Sequence, residues 1–296
     1  MVMKKSKPAM KSIETEVMVS ICCVTYNHEK YIAQAIEGYL MQQTSFKFEI
    51  LIGEDCSTDN TRKIVEEYVL KHPDKIKLIT SESNVGVHKN AVRLNKEVKG
   101  KYLTQCDGDD YWTDPLKLQK QVDFLEQNQE YIMCCHYSKR IKENNEIYYM
   151  NLNPKPIIYS FEDILFDNDF ETVLNTILFR NTPEIREIYS TDWFFKFNAP
   201  DRFLKLYLTF TSGKKIYVLP EIMCCYRKHP GGIWSMLKAK SLKQKTLDDL
   251  YLIIEIFKYS RVQKIKLLLY YLKKYFLFEV RDHSLQNAFS TIRTIL

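Results

Sequence analysis

Apolar and polar positions alternate in blocks along the first half of the chain. Residues 17–25 form an almost continuous apolar run, which is typical of a parallel strand buried on both faces. After a short polar break, Ile32, Ile36 and Tyr39 recur at the spacing of one helix face. The same succession of apolar run, polar turn and helical stripe continues to the middle of the chain. Strands that alternate with helices in this way predict an α/β fold, with a mostly parallel open sheet flanked by helices.

The pattern also divides the chain into parts. Further strands are predicted at 48–53, 76–79, 102–106, 131–137, 175–179 and 215–219, with helices near 64–69, 88–98 and 161–169 and two more that begin at Pro115 and Pro200. Residues 139–156 are polar and irregular, which suggests a hairpin excursion. We predict a disordered leader at 1–16, a main domain at 17–237 and a basic amphipathic helical extension at 238–296.

Two interpretations of the C-terminal extension stay open. Its lysines flank apolar stripes, so the helices could present a basic surface to anionic lipid. They could also form a helical hairpin packed on the main domain. The hairpin is favoured, because a helix pair can satisfy its own apolar stripes.

Polar clusters follow the predicted strands at the points where the strands end. Tyr26 and Asn27 follow the first strand, Glu54 and Asp55 follow the second, and an acidic turn at 107–110 follows the strand at 102–106. Ligands of open parallel sheets bind outside the carboxyl ends of the strands. We therefore expect these clusters to meet in one crevice.

The acidic turn holds three carboxylates in four residues, Asp107, Asp109 and Asp110, with Gly108 among them. Like charges this close repel one another, so the turn favours a bound cation or cationic ligand. Carboxylate oxygens are hard ligands, which indicates Mg²⁺ or Mn²⁺. A solvated acidic turn is the alternative, since Asp and Gly are common turn residues.

Composition and charge narrow the function classes. Hydrophobic residues make up 45% and charged residues 27% of the 296 positions, as in ordinary globular proteins. The net charge of +6 is spread along most of the chain, which does not indicate a nucleic-acid partner and suits anionic small molecules or an anionic membrane face. No Gly-rich phosphate loop follows the first strand, so a classical dinucleotide or P-loop site is disfavoured.

The ends of the chain and its cysteines bear on where in the cell the protein is located. The lysine-rich N-terminus lacks the apolar core of a secretory signal, and the apolar run 267–272 is far shorter than the roughly 20 residues of a spanning helix. Three adjacent cysteine pairs lie in strand-like runs, which suits reduced thiols on opposite strand faces. We expect a cytoplasmic protein, with peripheral attachment to the cytoplasmic face of the inner membrane as the alternative.

Five segments together carry a family resemblance. They are Val-Thr-Tyr-Asn (24–27), Glu-Asp-Cys-Ser-Thr-Asp-Asn-Thr (54–61), Asn-Val-Gly-Val (84–87), Cys-Asp-Gly-Asp-Asp-Tyr-Trp (106–112) and Tyr-Arg-Lys-His-Pro-Gly-Gly-Ile-Trp-Ser (226–235). In this order they resemble the bacterial family 2 glycosyltransferases of the GT-A fold. The resemblance is dense from residue 19 to 127 and sparser to residue 235. It implies transfer of a sugar, with inversion, from a nucleotide-diphosphate donor, usually a UDP-sugar, to a glycan or lipid-linked acceptor.

The resemblance also implies site residues. It puts Thr25, Tyr26 and Asn27 around the base and ribose, Asp55 on the base edge, and Lys89 or Arg93 on phosphate. Asp107 and Asp109 take the roles of the metal and ribose carboxylates. The full predicted set for the nucleotide is Thr25, Tyr26, Asn27, Glu29, Asp55, Lys89, Arg93, Asp107, Gly108, Asp109 and Arg227, and the predicted ligands of Mn²⁺ or Mg²⁺ are Asp109, Asp107 and His229.

Arg227 and His229 have a structural alternative. They follow a late strand, from which they could reach the diphosphate. Arg227 could equally stack on Tyr226, while His229 caps the Pro-Gly-Gly turn.

The general base is predicted to be Asp201. The acceptor-side motif of the family, usually Gly-Asp-Trp or Glu-Asp, is matched to Pro200-Asp201-Arg202, although Thr191-Asp192-Trp193 is locally closer. Asp201 lies at the start of an apolar-periodic helix that stops at Gly213, which is why we choose it over Asp192. An ordinary helix-capping aspartate is the alternative.

The residue inventory suits this chemistry independently of the family. Carboxylates that hold a divalent ion can offset charge on a departing diphosphate, and a separate carboxylate can take a proton from an acceptor hydroxyl. A glycoside hydrolase would not explain the metal-type cluster, and a nucleotidyltransferase would be expected to begin with a Gly- and Arg-rich loop. A non-catalytic protein that binds sugar nucleotides is the remaining alternative.

Overall fold

The computed structural model describes residues 16–232 and 239–281. The strands are β1 (Val19–Thr25), β2 (Phe48–Glu54), β3 (Ile76–Thr80), β4 (Tyr102–Gln105), β5 (Tyr111–Trp112), β6 (Tyr131–Lys142), β7 (Ile147–Tyr149), β8 (Ile157–Tyr159), β9 (Leu178–Arg180) and β10 (Lys215–Lys228). The helices are α1 (Ile32–Leu40), α2 (Thr61–Lys71), α3 (Val87–Asn95), α4 (Lys117–Gln127), α5 (Phe161–Leu165), α6 (Pro183–Ile188), α7 (Asp192–Lys196), α8 (Pro200–Ser212), α9 (Ala239–Ile256) and α10 (Arg261–Arg281).

The described strands form one sheet in the order β3-β2-β1-β4-β9-β6-β10-β5, with β7 beside β6 and β8 beside β10. Strands β3, β2, β1 and β4 run parallel. Strand β9 is antiparallel to β4 and β6, whereas β6 and β10 are parallel. The carboxyl ends of β1, β2 and β4 therefore share one edge. The predicted α/β fold with an open sheet is confirmed, and its second half contains antiparallel pairs that the hydrophobic pattern did not predict.

Two hydrophobic cores cover the two faces of the sheet. One includes Ile36, Val65 and Leu125 of α1, α2 and α4, and the other includes Leu94 and residues of α5 to α10. The neighbouring cysteines Cys22 and Cys23, and likewise Cys134 and Cys135, fall into opposite cores, and all eight cysteines are free thiols. Burial raises the pKa of the Cys135 thiol to about 12. The buried thiols, all except that of Cys56, behave as small apolar side chains.

The two C-terminal helices pack on the main domain. Leu250 and Ile253 of α9 and Leu267 and Tyr271 of α10 are buried in the core beside α5 and α8. The Asp249 carboxylate of α9 accepts the backbone N–H groups of residues 198 and 199, at 2.8 and 3.1 Å. Since these groups precede α8, helix α9 caps the helix that carries Asp201.

The structure contradicts two local predictions, and a third lies almost wholly outside the described residues. The predicted start of α4 at Asp114 and Pro115 is wrong: Asp114 Oδ1 accepts the N–H of Leu116 at 2.7 Å, which makes a turn, and the helix begins at Lys117. The predicted strand at 175–179 is instead a 3₁₀ turn (Leu174–Thr176) followed by β9. The predicted leader lies outside the described residues except for residue 16.

Candidate functional site

The loops after β1, β2 and β4 meet, as the sequence predicted. The N–H of Asp55 donates to the carbonyl of Thr25 at 3.1 Å, and the N–H of Gly108 donates to the carbonyl of Val24 at 3.0 Å. Asn27, held at a φ of 55°, accepts the N–H of Thr58 with its side-chain oxygen at 2.9 Å. These bonds join the three polar clusters into one crevice at the carboxyl edge of the sheet.

The three carboxylates of the acidic turn have different environments. Asp110 is buried and bound on both oxygens: Oδ1 accepts the N–H of Arg227 at 2.7 Å, and Oδ2 accepts Nδ2 of Asn175 at 3.0 Å. It ties the end of β10 to the 3₁₀ turn before β9. This explains why the segment around Asn175 turns where a strand was predicted, and it gives Asp110 a structural role.

Asp109 lies between two imidazoles. His229 Nε2 is 2.9 Å from Asp109 Oδ2, and His28 Nε2 is 4.0 Å from the same oxygen. Burial would raise the pKa of Asp109, but the hydrogen bond from His229 and the nearby His28 lower it overall. One ligand atom from each of the three side chains falls within 4.8 Å of the others, so this group can hold a metal ion.

The structure brings Asp109 and His229 of the predicted metal set together, but the cluster does not include Asp107. It adds His28, which is not among the predicted site residues although both of its neighbours, Asn27 and Glu29, are. The available signal was an imidazole at the carboxyl end of β1. Burial lowers the pKa of His28, against the opposing effect of Asp109, which favours the neutral ring that ligates metals.

Asp107 faces the crevice beside Asp109. Burial first, and then the charges of Asp109 and Asp201, raise the pKa of Asp107 well above its ordinary value. The Asp201 carboxylate is thus close enough to repel Asp107, although it lies on the first turn of α8, a separate element. Asp192, the alternative base, is exposed on the first turn of α7 and is not among the charges that raise the pKa of Asp107.

Arg227 is engaged by the protein itself. Its Nε donates to the carbonyl of Asp109 at 3.1 Å, and Nη2 donates to Oε1 of Gln34 at 2.8 Å. The guanidinium lies 4.8 Å from the ring centre of Tyr31 and 5.4 Å from that of Tyr111. Stacking is therefore found as expected, but on these two rings rather than on Tyr226. The side chain braces the acidic turn, and its contact with a diphosphate stays a prediction.

Asp55 holds the loop that leads into α3. Its carboxylate accepts the N–H of Val85 at 3.0 Å and the N–H of Gly86 at 2.8 Å, and Arg93 Nη2 approaches it to 3.4 Å. Arg93 also donates to the side-chain oxygen of Asn90 at 2.9 Å. These contacts are structural, and they turn Arg93 toward the sheet. Its predicted phosphate contact, and the base contact of Asp55, are not tested by this geometry.

The other predicted nucleotide residues line the same loops. Thr25 is buried beside His28, Tyr26 is 39% exposed at the rim, and Lys89 is exposed on α3. Glu29 accepts the N–H and the side-chain amide of Asn60, at 3.0 and 2.9 Å, at the start of α2. Glu29 therefore acts first as a helix cap.

The part of the chain that carries the loops after β1, β2 and β4 matches a known family. The model of "Glycosyl transferase family 2" matches residues 20–183 of the chain. This chain belongs to glycosyltransferase family 2. The protein Rv1520 of Mycobacterium tuberculosis is 35% identical over 224 residues, which cover 73% of this chain and 60% of that protein. Chondroitin synthase of Escherichia coli is 36% identical over 111 residues, which cover 36% of this chain and 15% of the synthase.

Solved structures agree on the fold. S. aureus TarS 1–349 in complex with UDP-GlcNAc has a TM-score of 0.64 at 21% identity and covers 93% of this chain and 75% of its own. The mannosyltransferase PcManGT of Pyrobaculum calidifontis, solved with GDP-Man and Mn²⁺, has a TM-score of 0.59 at 16% identity and covers 83% of this chain and 67% of its own. The predicted GT-A fold and the family are therefore confirmed. The chain spans 60% of the length of its mycobacterial relatives.

Proposed function

We propose that this family 2 glycosyltransferase moves a sugar from a UDP-sugar to a glycan or lipid-linked acceptor, with inversion, in surface polysaccharide synthesis. The observation that carries the proposal is a division of roles in one crevice. Asp109 and His229 are in contact at the end of β4, whereas Asp201 belongs to a separate element, the first turn of α8, and its charge raises the pKa of Asp107. Structural neighbours that were solved with UDP-GlcNAc or GDP-Man support the donor class.

The donor set of the cluster suits a divalent ion, and we propose Mn²⁺ or Mg²⁺. Asp109 and His229 would hold it, with His28 4.0 Å from the same carboxylate oxygen. Bound there, the ion supplies a Lewis acid that offsets charge on the diphosphate leaving group. The raised pKa of Asp107 supports the same view, because a buried carboxyl that is crowded by two others is relieved by a cation or a ligand hydroxyl.

Asp201 is proposed as the general base. It lies in the first turn of α8, where the partial positive charge of a helix N-terminus interacts favourably with a carboxylate. Lys205 Nζ lies 4.0 Å from Asp201 Oδ2 and helps to hold it. The carboxylate is separate from the metal cluster, so it can accept the proton of an acceptor hydroxyl that attacks opposite the diphosphate. Inversion follows from that direction of attack.

The test begins with binding. Thermal shifts should be larger for UDP and UDP-sugars with Mn²⁺ than with chelator, because a ligand of the native state alone raises the melting temperature. Equal affinity for UDP with and without the ion would remove the role given to Asp109. Binding of a UDP-sugar without transfer to any of a panel of glycan and lipid-linked acceptors would favour the non-catalytic alternative.

We also propose peripheral contact of α10 with anionic membrane on the cytoplasmic face. No described helix combines the length and apolarity needed to cross a bilayer. Helix α10 is packed on one side and exposes an apolar stripe on the other, made of Val262, Ile265, Leu269, Leu277 and Val280. Lys266 and Lys273 lie on this same exposed face by the 3.6-residue helical period, among the apolar residues, and Lys264 is exposed near the start of the helix. Such a surface suits shallow insertion among anionic headgroups.

Liposome co-sedimentation tests this contact. Binding should require anionic lipid and fall with added salt. Leu269→Glu should reduce it several-fold, whereas Leu70→Glu, at a still more exposed leucine of α2, should not. Absence of binding at low and high salt would leave α10 with a packing role alone.

A further inference from the structure

We propose that His28 is a third protein ligand of the divalent ion, beside Asp109 and His229, and that this set of two imidazoles and one carboxylate selects Mn²⁺ over Mg²⁺. The inference rests on the proposed function, because it concerns the ion that the donor diphosphate would share. His28 belongs to the loop after β1, and Asp109 and His229 come from the loops after β4 and β10. The site would therefore join three separate parts of the sheet edge.

The distances leave room for one ion. The three ligand atoms lie within 4.8 Å of one another. Two ligands at about 2.1 Å from a common ion are at most about 4.2 Å apart, so a ring shift of less than about 1 Å completes the site. The 4.0 Å separation of His28 Nε2 from Asp109 Oδ2 already satisfies that limit.

Hydrogen bonding has prepared His28 as a ligand. Its Nδ1 lies 3.2 Å from Oγ1 of the buried Thr25. When Nδ1–H donates to that hydroxyl, Nε2 keeps its lone pair on the side of Asp109. Metal-ligating histidines are oriented in this way, with the second ring nitrogen donating to a fixed acceptor.

His229 has the opposite arrangement. The N–H of Gly231 donates to His229 Nδ1 at 3.2 Å, so the neutral ring carries its proton on Nε2 and donates it to Asp109. To ligate through Nε2, His229 must give up its bond from Gly231. His28 needs no such exchange.

Gly108 gives an independent sign that the His28–Thr25 pair is built into the acidic turn. A Cβ atom at position 108 would lie 2.6 Å from Thr25 Oγ1 and 3.0 Å from His28 Nδ1. Real Cβ atoms do not come so close to a neighbour as 2.6 Å. The glycine between Asp107 and Asp109 thus leaves the space that this pair occupies.

The donor set decides the metal. Carboxylate and water suit Mg²⁺, whereas imidazole nitrogen suits transition metals. A site of carboxylates alone would accept Mg²⁺ or Mn²⁺, which is what the acidic turn predicted. With two imidazoles, Mn²⁺ is preferred.

The experiment measures the ion directly, on the full chain with UDP present. Mn²⁺ binding by electron paramagnetic resonance should weaken about 10-fold or more in His28→Gln, and Mg²⁺ should displace Mn²⁺ from this variant at lower concentration. Pulsed spectra should show nitrogen coupling from two histidines in the wild type and from one in His28→Gln. His72→Gln, at the end of α2, is the matched control and should behave as the wild type.

His28→Asp keeps a ligand at this position and should retain an ion while favouring Mg²⁺. Melting curves without metal test whether both variants fold. If His28→Gln does not fold, the metal preference of His28→Asp alone decides. Wild-type Mn²⁺ affinity and two-histidine coupling in His28→Gln, or unchanged metal preference in His28→Asp, would overturn the inference and leave the proposed function standing. A wild type that binds neither Mn²⁺ nor UDP would overturn the proposed function itself.

Discussion

The two sides of the crevice use their polar residues differently. On the side of β1, β2 and α3, motif residues are bound to one another: Asn27 holds Thr58, Glu29 holds Asn60, and Asp55 holds the loop before α3. These side chains keep three loops in place. Removing one of them should therefore affect the stability of the fold as much as the binding of a nucleotide.

On the side of β4 and α8, the negative charges of the carboxylates are less fully compensated by partners. The charges of Asp109 and Asp201 both raise the pKa of Asp107, and His229 is the hydrogen-bonding partner of Asp109. Carboxylates crowded in a buried place cost free energy unless a ligand compensates them. A match to a family motif therefore does not show whether a carboxylate supports the fold or takes part in the reaction. The hydrogen-bonding partners and neighbouring charges of each carboxylate do show this.

The largest expected effect is on catalysis at Asp201. Asp201→Asn preserves the size and shape of the side chain, which makes no capping hydrogen bond, but removes the base, so sugar transfer should fall by about 10²-fold or more. UDP binding and melting temperature should stay close to wild type. Asp192→Asn is the matched control, in the first turn of α7. Normal transfer by Asp201→Asn together with loss in Asp192→Asn would move the base to Asp192.

The next effect separates the two sides by metal dependence. Asp109→Asn should weaken Mn²⁺-dependent UDP binding about 10- to 100-fold and leave UDP binding in chelator unchanged, because the carboxylate acts through the ion. Calorimetry with and without Mn²⁺ measures both. If the variant loses UDP affinity equally in the two conditions, Asp109 contacts the nucleotide rather than the ion.

Asp55 should give the opposite result. Asp55→Ala leaves two loop N–H groups without their acceptor and should lower the free energy of unfolding by about 2 to 4 kcal/mol, whether or not Mn²⁺ is present. Chemical denaturation measures the loss. The base contact predicted for Asp55 adds a separate loss of UDP affinity. If Asp55→Ala binds UDP more weakly at unchanged stability, Asp55 acts in ligand binding and not in holding the loop. The proposed difference between the two sides of the crevice would then be wrong.

The sequence predicted the parallel half of the fold well, because buried parallel strands are continuous apolar runs and their ends are polar. The convergence of Asp55 and Asp109 followed from strand direction alone. The antiparallel pairing of β9 was not predictable, since it depends on Asn175 turning to meet Asp110. His28 was missed for a related reason: a lone histidine acquires meaning only when a distant segment brings His229 beside it.

The role of α9 was equally hidden in the sequence. Asp249 is one polar residue in an amphipathic helix, and no local pattern indicates that it caps the N-terminus of α8. The two C-terminal helices looked like an appendage because their composition differs from that of the main domain. In the fold they complete one of its two cores, and α9 fixes the helix that carries the proposed base.

Lys117 gives the smallest expected effect. Its side chain is fully buried, so a change at this residue should act on the stability of the fold and not on ligands in the crevice. Its ammonium is buried 4.0 Å from the ring centre of Trp112, beneath the acidic turn, and donates to Gln121 Oε1 at 2.8 Å. Burial lowers its pKa from 10.5 to about 8. Between these two values the unfolded chain binds more protons than the folded one, so folding stability should rise with pH across this window and be lowest below it.

The wild type should gain roughly 2 to 3 kcal/mol of stability relative to Lys117→Met between pH 7 and pH 10. Comparing the two proteins cancels the titration of their shared tyrosines and cysteines. Urea denaturation at several pH values gives the difference directly. A difference that does not change with pH would mean that Lys117 titrates as an exposed lysine, and that the scaffold beneath the acidic turn opens to water. Sugar transfer should keep the same pH profile in both proteins, since the Lys117 ammonium is buried in the fold and is not part of the cluster of Asp109, His229 and His28.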